Sequence, residues 1–184
     1  MESILPGYAR ITEILGMYQA YAFVDRGRLK KATDIGTDIH AAIEAYLNEE
    51  FYPLHGSLEG YFSSFLFWLT NNEVKPIIQE KRYYDADLKI TGKLDLLASV
   101  NGKTVLVDFK TGSWSHPEIW RLQGTFYRHL LALEGKDPIP DQFVFLQLQR
   151  TGDHPIMFNF DYNPKDWEIC KKSVEIFRWF RKTC

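Results

Sequence analysis

The sequence has 184 residues, of which 45% are hydrophobic and 25% are charged, and its formal net charge at pH 7 is −2. This balance excludes a protein that coats nucleic acid by charge alone, and no apolar run is long enough to cross a membrane. Because no linker-like stretch divides the chain, we expect a single domain spanning residues 1–184. The first residues do not resemble a secretory signal, so we expect an intracellular protein.

Basic residues cluster in two places along the chain. The first cluster contains Arg26, Arg28, Lys30 and Lys31. Positive charge at this density suits the phosphates of a nucleic acid. The second cluster, in the segment 165–182, also contains acidic residues and is more simply explained as a solvated helix face.

In chain order, the first predicted elements are a short N-terminal piece and two helices. The segment Ile4–Leu15 predicts a loop followed by a short helix or extended piece. One helix begins near Thr33, with Thr33 or Asp34 as its N-cap, and another covers Ser57–Leu69. On the first helix, His40 shares its stripe with residues at helical spacing: Gly36, Ile43 and Leu47. We therefore expect His40 to face inward, either as a core histidine with its own partners or as a ligand.

The remaining elements alternate between strands and helices. Apolar alternation predicts strands over Lys75–Asp85, Gln142–Arg150 and Pro155–Tyr162. Proline at a first turn and apolar residues at helical spacing predict helices over Pro117–Leu133 and Pro164–Lys182. The apolar side of the last helix is expected to contain Trp167, Cys170, Val174, Phe177 and Phe180.

The most informative stretch is a predicted hairpin in the middle of the chain. Two apolar strands, roughly Leu88–Val100 and Thr104–Asp108, are joined at Asn101-Gly102. This dipeptide suits a tight turn because both residues tolerate a positive φ angle. The hairpin therefore predicts two neighbouring antiparallel strands.

Charged residues interrupt these two apolar strands. Asp95 lies within one of them, Asp108 ends the other, and Lys110 follows two residues later. Burying carboxylates among branched apolar residues costs several kcal/mol unless a cation or a hydrogen-bond donor compensates them. Oxygen ligands of this kind suit Mg²⁺ or Mn²⁺, so the pattern indicates a metal site beside a lysine. A hairpin with an exposed ion pair is the alternative.

The motif Gly92-Lys93-Leu94-Asp95, followed by Asp108-Phe109-Lys110, resembles the core of the PD-(D/E)xK nuclease superfamily, most of all its RecB-type exonuclease branch. The helix containing Gly36 and His40 and the pair Gln123-x-x-x-Tyr127 resemble further motifs of that branch, in the order that the family requires. The resemblance covers about residues 36–127. The proline that gives the superfamily its name is absent, since Leu94 precedes Asp95.

The resemblance implies both a fold and a set of site residues. It implies an α/β fold with a mixed sheet flanked by helices, built on a restriction-endonuclease-like core. It also implies metal ligands at His40, Asp95, Asp108 and the backbone carbonyl of Phe109, with Glu80 as a further candidate, although an exposed glutamate on an edge strand is as good an explanation for Glu80. The residues implied for catalysis are Asp95, Asp108 and Lys110, and those for DNA binding or site positioning are Gln123, Tyr127, Arg26, Arg28 and Lys30.

The function implied by the resemblance is a Mg²⁺- or Mn²⁺-dependent DNA exonuclease that acts at DNA ends, in DNA recombination or repair, through a metal-activated water. The protein resembles compact phage and mitochondrial-genome-maintenance exonucleases, which allows a location in the cytoplasm or, for a phage protein, in the host cytoplasm. Single-stranded DNA or DNA with free ends is the expected partner, and a homo-oligomer is a further expectation. The iron–sulfur cluster of some relatives needs four cysteines, whereas this chain has Cys170 and Cys184. A structure-specific or restriction-type endonuclease and a catalytically idle interaction module are the alternatives.

Overall fold

A mixed sheet with helices on both faces organises residues 4–19 and 26–182, which are the residues described in this computed structural model. The helices are α1 (Ile11–Gly16), α2 (Arg26–Leu47), α3 (Glu59–Thr70), α4 (Pro117–Glu134) and α5 (Pro164–Lys182). The strands are β1 (Ala9–Arg10), β2 (Val74–Asp85), β3 (Ile90–Val100), β4 (Lys103–Lys110), β5 (Gln142–Gln147) and β6 (Ile156–Asp161). The fold class predicted from the sequence is therefore confirmed.

Strand β3 is the centre of this sheet. It pairs with antiparallel β2 on one side, and on the other side with parallel β1 at Ile90 and Thr91 and with antiparallel β4 from Leu96 onward. Strand β4 also pairs in parallel with β5, which pairs antiparallel with β6. Between the end of β1 and the start of the β4 pairing, residues 92–95 of β3 have no strand partner on that side among the described residues. This gap leaves an opening in the sheet.

Two hydrophobic cores lie on opposite faces of the sheet. Helices α1, α4 and α5 cover one face, where Phe126 and Phe143 are fully buried. Helices α2 and α3 cover the other face, where Ile39 and Phe65 are fully buried. Burial of an aromatic side chain contributes about 1.5–3 kcal/mol, so the two cores are the main source of stability.

Strand β4 contributes to both cores because its side chains alternate between the two faces. Leu106 packs in the core beneath α4, whereas Val105, Val107 and Phe109 pack beneath α2 and α3. The same alternation directs Asp108, at the position after Val107, to the α4 face. Its 1% exposure shows that the carboxylate is buried there.

The turn between β3 and β4 has the conformation that its sequence predicts. Asn101 has a φ angle of 49° and Gly102 one of 81°. Both values fit a two-residue hairpin turn of the type that Asn-Gly favours. The predicted hairpin is therefore confirmed.

Strands β2 and β3 change their alternation at two acidic residues. Leu94 packs in the core beneath α4, but Leu96, two residues later, packs beneath α2 and α3. The partners of these leucines in β2 are Lys81 and Gln79, so Glu80 lies opposite the irregular position. Glu80 has a φ angle of 49°, which an L-amino acid rarely adopts within a strand. At this irregular position, Glu80 and Asp95 both approach His40 of α2.

Helix α2 begins earlier than predicted. It starts at Arg26 rather than near Thr33, so the first basic cluster lies within the helix instead of preceding it. Thr33 does not cap the helix, because its hydroxyl donates to the Leu29 carbonyl at 3.0 Å inside the helix. Thr37 donates in the same way to the Thr33 carbonyl.

The apolar side of α5 differs from the prediction at its C-terminal end. Cys170, Val174 and Phe177 are buried, as expected, but Phe180 is 54% exposed. The core beneath α5 therefore ends near Phe177. Cys184 lies outside the described residues.

Gly60 on α3 gives a test of how this helix is fixed. A Cβ atom at this position would overlap the backbone carbonyl of Arg150, in the connection between β5 and β6. We expect Gly60→Ala to lower the free energy of unfolding by about 1–3 kcal/mol, because backbone must move to relieve the overlap. Denaturant titration measures this change. Gly56→Ala is the matched control, since its Cβ would meet only the flexible Glu59 side chain at 3.8 Å, and an equal effect at both positions would contradict the packing argument.

Candidate active site

Asp108 and Lys110 project from the same face of β4, as their spacing of two residues requires. The Lys110 ammonium forms an ion pair with Asp108 Oδ1 and also donates to Gln123 Oε1 at 3.1 Å. The Lys110 side chain retains 23% exposure, whereas that of Asp108 retains 2%. The lysine therefore reaches from a buried carboxylate toward solvent.

Gln123 on α4 connects the acid and the lysine through one amide group. Its Nε2 atom donates to Asp108 Oδ2 at 2.8 Å, and the Tyr127 hydroxyl lies 3.2 Å from the same nitrogen. Tyr127 fits here because β3 has a glycine beside it, since a Cβ at Gly92 would lie 2.6 Å from the tyrosine ring. The two predicted positioning residues thus contact each other and the predicted catalytic pair.

His40 on α2 brings a second group of acids together. Its Nε2 atom donates to the Phe109 carbonyl at 3.0 Å, and its Nδ1 atom lies 3.4 Å from Glu80 Oε1 and 3.4 Å from Asp95 Oδ1. The backbone N–H of Phe109 donates to Asp95 Oδ2 at 2.9 Å. Potential ligand atoms of His40, Glu80 and Asp95 all lie within 4.8 Å of one another.

The positions of Glu80 and Phe109 bear on two of the predicted ligands. The Glu80 side chain is only 10% exposed and forms an ion pair with Lys93, so it isn't the exposed glutamate of an edge strand. The Phe109 carbonyl, predicted as a ligand, accepts the His40 hydrogen bond instead of lying exposed. Both residues stay candidates for metal binding.

Burial and neighbouring charge shift the protonation of these groups. Burial and the nearby Asp95 carboxylate raise the pKa of Asp108 to about 7, although Lys110 opposes the shift. Burial alone raises the pKa of Asp95, but the neighbouring His40 and Lys110 outweigh it and lower that pKa. Burial lowers the pKa of His40, but Asp95 and Glu80 outweigh it and raise that pKa well above its ordinary value. Among these groups, Asp108 is thus the carboxylate whose charge its neighbours do not compensate.

All of these residues except Glu80 line an open cavity of about 230 Å³ at the gap beside β3. Three basic residues line the same cavity and were not predicted as site residues: Arg10, Arg82 and Lys93. Lys93 had a signal, because it lies two residues before Asp95 in the motif. Arg82 is its neighbour across the strand pair, and Arg10 belongs to the short strand β1, so only the tertiary structure reveals them.

The predicted basic cluster on α2 is not part of this cavity among the described side chains. Lys30 is exposed and does not line it. The side chains of Arg26 and Arg28 lie outside the described ones. The role predicted for all three in DNA binding stays a prediction.

Comparison with known proteins identifies the family. A sequence model of the PD-(D/E)XK nuclease superfamily matches residues 54–178, which is more than half of the chain. The protein therefore belongs to the PD-(D/E)XK nuclease superfamily, as the motifs predicted. No curated protein matches the sequence.

Solved structures similar to this chain include those of SSO0001 and of LHK-Exo in complex with dAMP. The SSO0001 structure has 12% sequence identity and a TM-score of 0.48, with 96% of this chain and 79% of that chain covered. The LHK-Exo structure has 10% identity and a TM-score of 0.45, with 96% of this chain and 89% of that chain covered.

None of the described helices is both long and apolar enough to cross a membrane.

Replacing Asp108 by asparagine tests the electrostatics of the site in metal-free protein. The Asp108 carboxyl has a higher pKa in the folded state than in the unfolded state, so its protonated form favours folding. This contribution to stability is fully present below the unfolded-state pKa and is lost as pH rises through the folded-state pKa of about 7. We therefore expect wild type in EDTA to lose at least about 1 kcal/mol of stability relative to Asp108→Asn between pH 5 and pH 8. Denaturant titrations at both pH values measure the difference.

The control for this measurement is Asp34→Asn, which removes an exposed carboxylate on α2. Its stability difference from wild type should not change with pH over the same interval. If the stability difference between Asp108→Asn and wild type is equally independent of pH, the ionised Asp108 carboxylate does not destabilise the fold, and its pKa is not raised as described.

Proposed function

We propose that the protein is a metal-dependent DNA exonuclease of the RecB-type branch that hydrolyses phosphodiester bonds at DNA ends. Membership of the nuclease superfamily supports the reaction class. The observation that carries the proposal is that two clusters lie side by side and that all of their residues except Glu80 line one opening. The clusters are His40, Glu80 and Asp95, and Asp108, Lys110 and Gln123. The first offers metal ligands and the second offers an oriented cation.

The donor set fits a divalent cation such as Mg²⁺ or Mn²⁺. Carboxylate oxygens and an imidazole nitrogen are ligands that these ions accept, and those of His40, Glu80 and Asp95 lie within 4.8 Å of one another. Asp108 lies outside this group of three. The raised pKa of Asp108 is a second indication, because a cation here would compensate carboxylates that Lys110 alone does not. His40, Asp95 and Asp108 are the proposed ligands, with Glu80 and the Phe109 carbonyl as further candidates.

Such an ion, when bound, polarises a phosphoryl oxygen and lowers the pKa of water. The chain's own residues would perform the remaining tasks. Lys110 places a positive charge where negative charge develops on the phosphate, and Gln123 holds that ammonium and the Asp108 carboxylate in fixed relation. The Tyr127 hydroxyl accepts a hydrogen bond from the Gln123 amide and so helps to orient it. Arg10, Arg82 and Lys93 place further positive charge around the cavity that would receive the phosphate backbone.

An endonuclease on the same core is the second candidate. The opening at β3 is not enclosed by the described residues, so the site geometry is compatible with cleavage inside a strand as well as at its end. An idle interaction module would not need Asp95, Asp108 and Lys110 together. DNA ends are the proposed substrate because the motifs resemble the RecB-type exonuclease branch, and a closed circle separates the two enzymes.

Cleavage of end-labelled linear DNA and of a covalently closed circle tests this proposal. In Mg²⁺ or Mn²⁺, we expect wild type to degrade the linear DNA and to leave the circle intact, with no activity in EDTA. Asp108→Ala and Lys110→Ala should each lower the rate by at least about 10²-fold, because the first removes a proposed metal ligand and the second removes the positive charge beside the phosphate. A gel time course measures all of these rates.

Lys103→Ala is the matched control, because Lys103 is an exposed lysine at the opposite end of β4 from Lys110. It should retain the wild-type rate. A nicked circle would move the assignment to an endonuclease. If folded wild type cleaves none of the substrates with either metal, the nuclease proposal fails.

A further inference from the structure

Trp114 lies in the loop that connects β4 with α4, and it is 76% exposed. The contrast with other tryptophans is large, since Trp68 and Trp120 are 3% and 5% exposed. The residues on either side, Ser113 and Ser115, are exposed and polar. The indole is therefore an isolated aromatic surface rather than part of an apolar patch that would bind a folded protein.

The loop around Trp114 is held from both sides by one buried residue. Gln147 on β5 is 4% exposed and donates from Nε2 to the Gly112 carbonyl at 2.7 Å. Its Oε1 atom accepts a hydrogen bond from the Ser115 hydroxyl at 2.9 Å. A buried glutamine thus uses both ends of its amide to fix the short segment that presents the indole, which lowers the entropy lost when a ligand binds there.

The same glutamine lies beside both the loop of Trp114 and Lys110 of the candidate active site. Gln147 is the register partner of Lys110 in the parallel pairing of β4 with β5. Trp114 follows Lys110 by four residues, so their Cα atoms are at most about 14 Å apart, which is the reach of that length of extended chain. The indole is therefore within a few nucleotides of any phosphodiester bond that lies at Lys110.

We infer that Trp114 is a stacking platform for an unpaired base of the nucleic-acid strand that enters the site. The inference rests on the proposed nuclease function and deepens it, because it defines the substrate as single-stranded DNA or a DNA end with unpaired bases. Every base has a flat face that an indole can contact, so the stack requires no particular sequence. Basic residues at the cavity hold the phosphates, and Trp114 holds the base.

The inference is tested by measuring the binding of a fluorescent single-stranded oligonucleotide through its fluorescence anisotropy, in a buffer that contains Ca²⁺. A gel checks that the strand stays uncut during the measurement. We expect Trp114→Ala to raise Kd by about 5- to 150-fold, which is the range that one base–aromatic stack supplies. Trp114→Phe should recover most of the affinity. The matched control is Trp179→Ala, which removes another exposed tryptophan, on α5, and should leave Kd unchanged.

Abasic substitutions distinguish stacking from a general effect on the loop. Each nucleotide of the oligonucleotide is replaced in turn by an abasic one, and Kd is measured for wild type and for Trp114→Ala. At one position, an abasic nucleotide should raise the Kd of wild type about as much as the Trp114→Ala substitution raises the Kd for the intact strand. Trp114→Ala should be insensitive to the abasic site at that position, because the stack is already absent.

The outcomes separate this inference from the proposed nuclease function. If Trp114→Ala binds as wild type does, or if its loss is the same for every abasic strand, the stacking inference is wrong even when the enzyme cleaves DNA. If folded wild type cleaves nothing but shows the base-dependent loss at Trp114, the inference stands and the nuclease proposal fails. If wild type binds no oligonucleotide at all, the stacking inference fails, and the cleavage assay alone decides the nuclease proposal.

Discussion

The burial of two carboxylates close together is the constraint on which the site depends. Asp95 and Asp108 come from adjacent strands, and each must find donors or cations because water cannot reach both fully. Asp95 receives a backbone N–H and the His40 imidazole, while Asp108 receives Lys110 and the Gln123 amide. Even so, the pKa of Asp108 stays raised to about 7. A site arranged in this way favours the binding of another cation.

The rest of the fold compensates this unfavourable site and leaves space for it. The two cores on either face of the sheet contain fully buried aromatic and aliphatic side chains that hold β3 and β4 in place. The pairing of β4 with β3 ends at Val107, whereas its pairing with β5 on the other side continues to Lys110, so the acids lie at a gap rather than within a continuous ladder. The left-handed conformation of Glu80 adds local strain, which persists because β2 is paired on both sides of it.

Sequence patterns predicted the parts of the site that depend on local geometry. The two-residue spacing of Asp108 and Lys110, the four-residue spacing of Gln123 and Tyr127 and the turn at Asn101-Gly102 each follow from the period of one element. The parts that depend on distant contacts could not be predicted. Strand β1 has only two residues, so its pattern is too short to recognise, and Arg10 was missed with it. Helix α2 begins earlier than its threonines indicate, because the Thr33 and Thr37 hydroxyls donate to carbonyls within the helix instead of capping it.

The backbone of one residue, Phe109, connects the two halves of the site. The N–H of Phe109 donates to Asp95 and its carbonyl accepts from His40, whereas the residues before and after it, Asp108 and Lys110, face Gln123 on α4. The Phe109 ring is buried against Phe65 of α3, with their centroids 5.6 Å apart. Helices on opposite faces of the sheet therefore act on the same short segment of β4. A shift of that segment would change the spacing of the acids and the position of the lysine together, which explains why the D-x-K strand, rather than any single side chain, sets the geometry of the site.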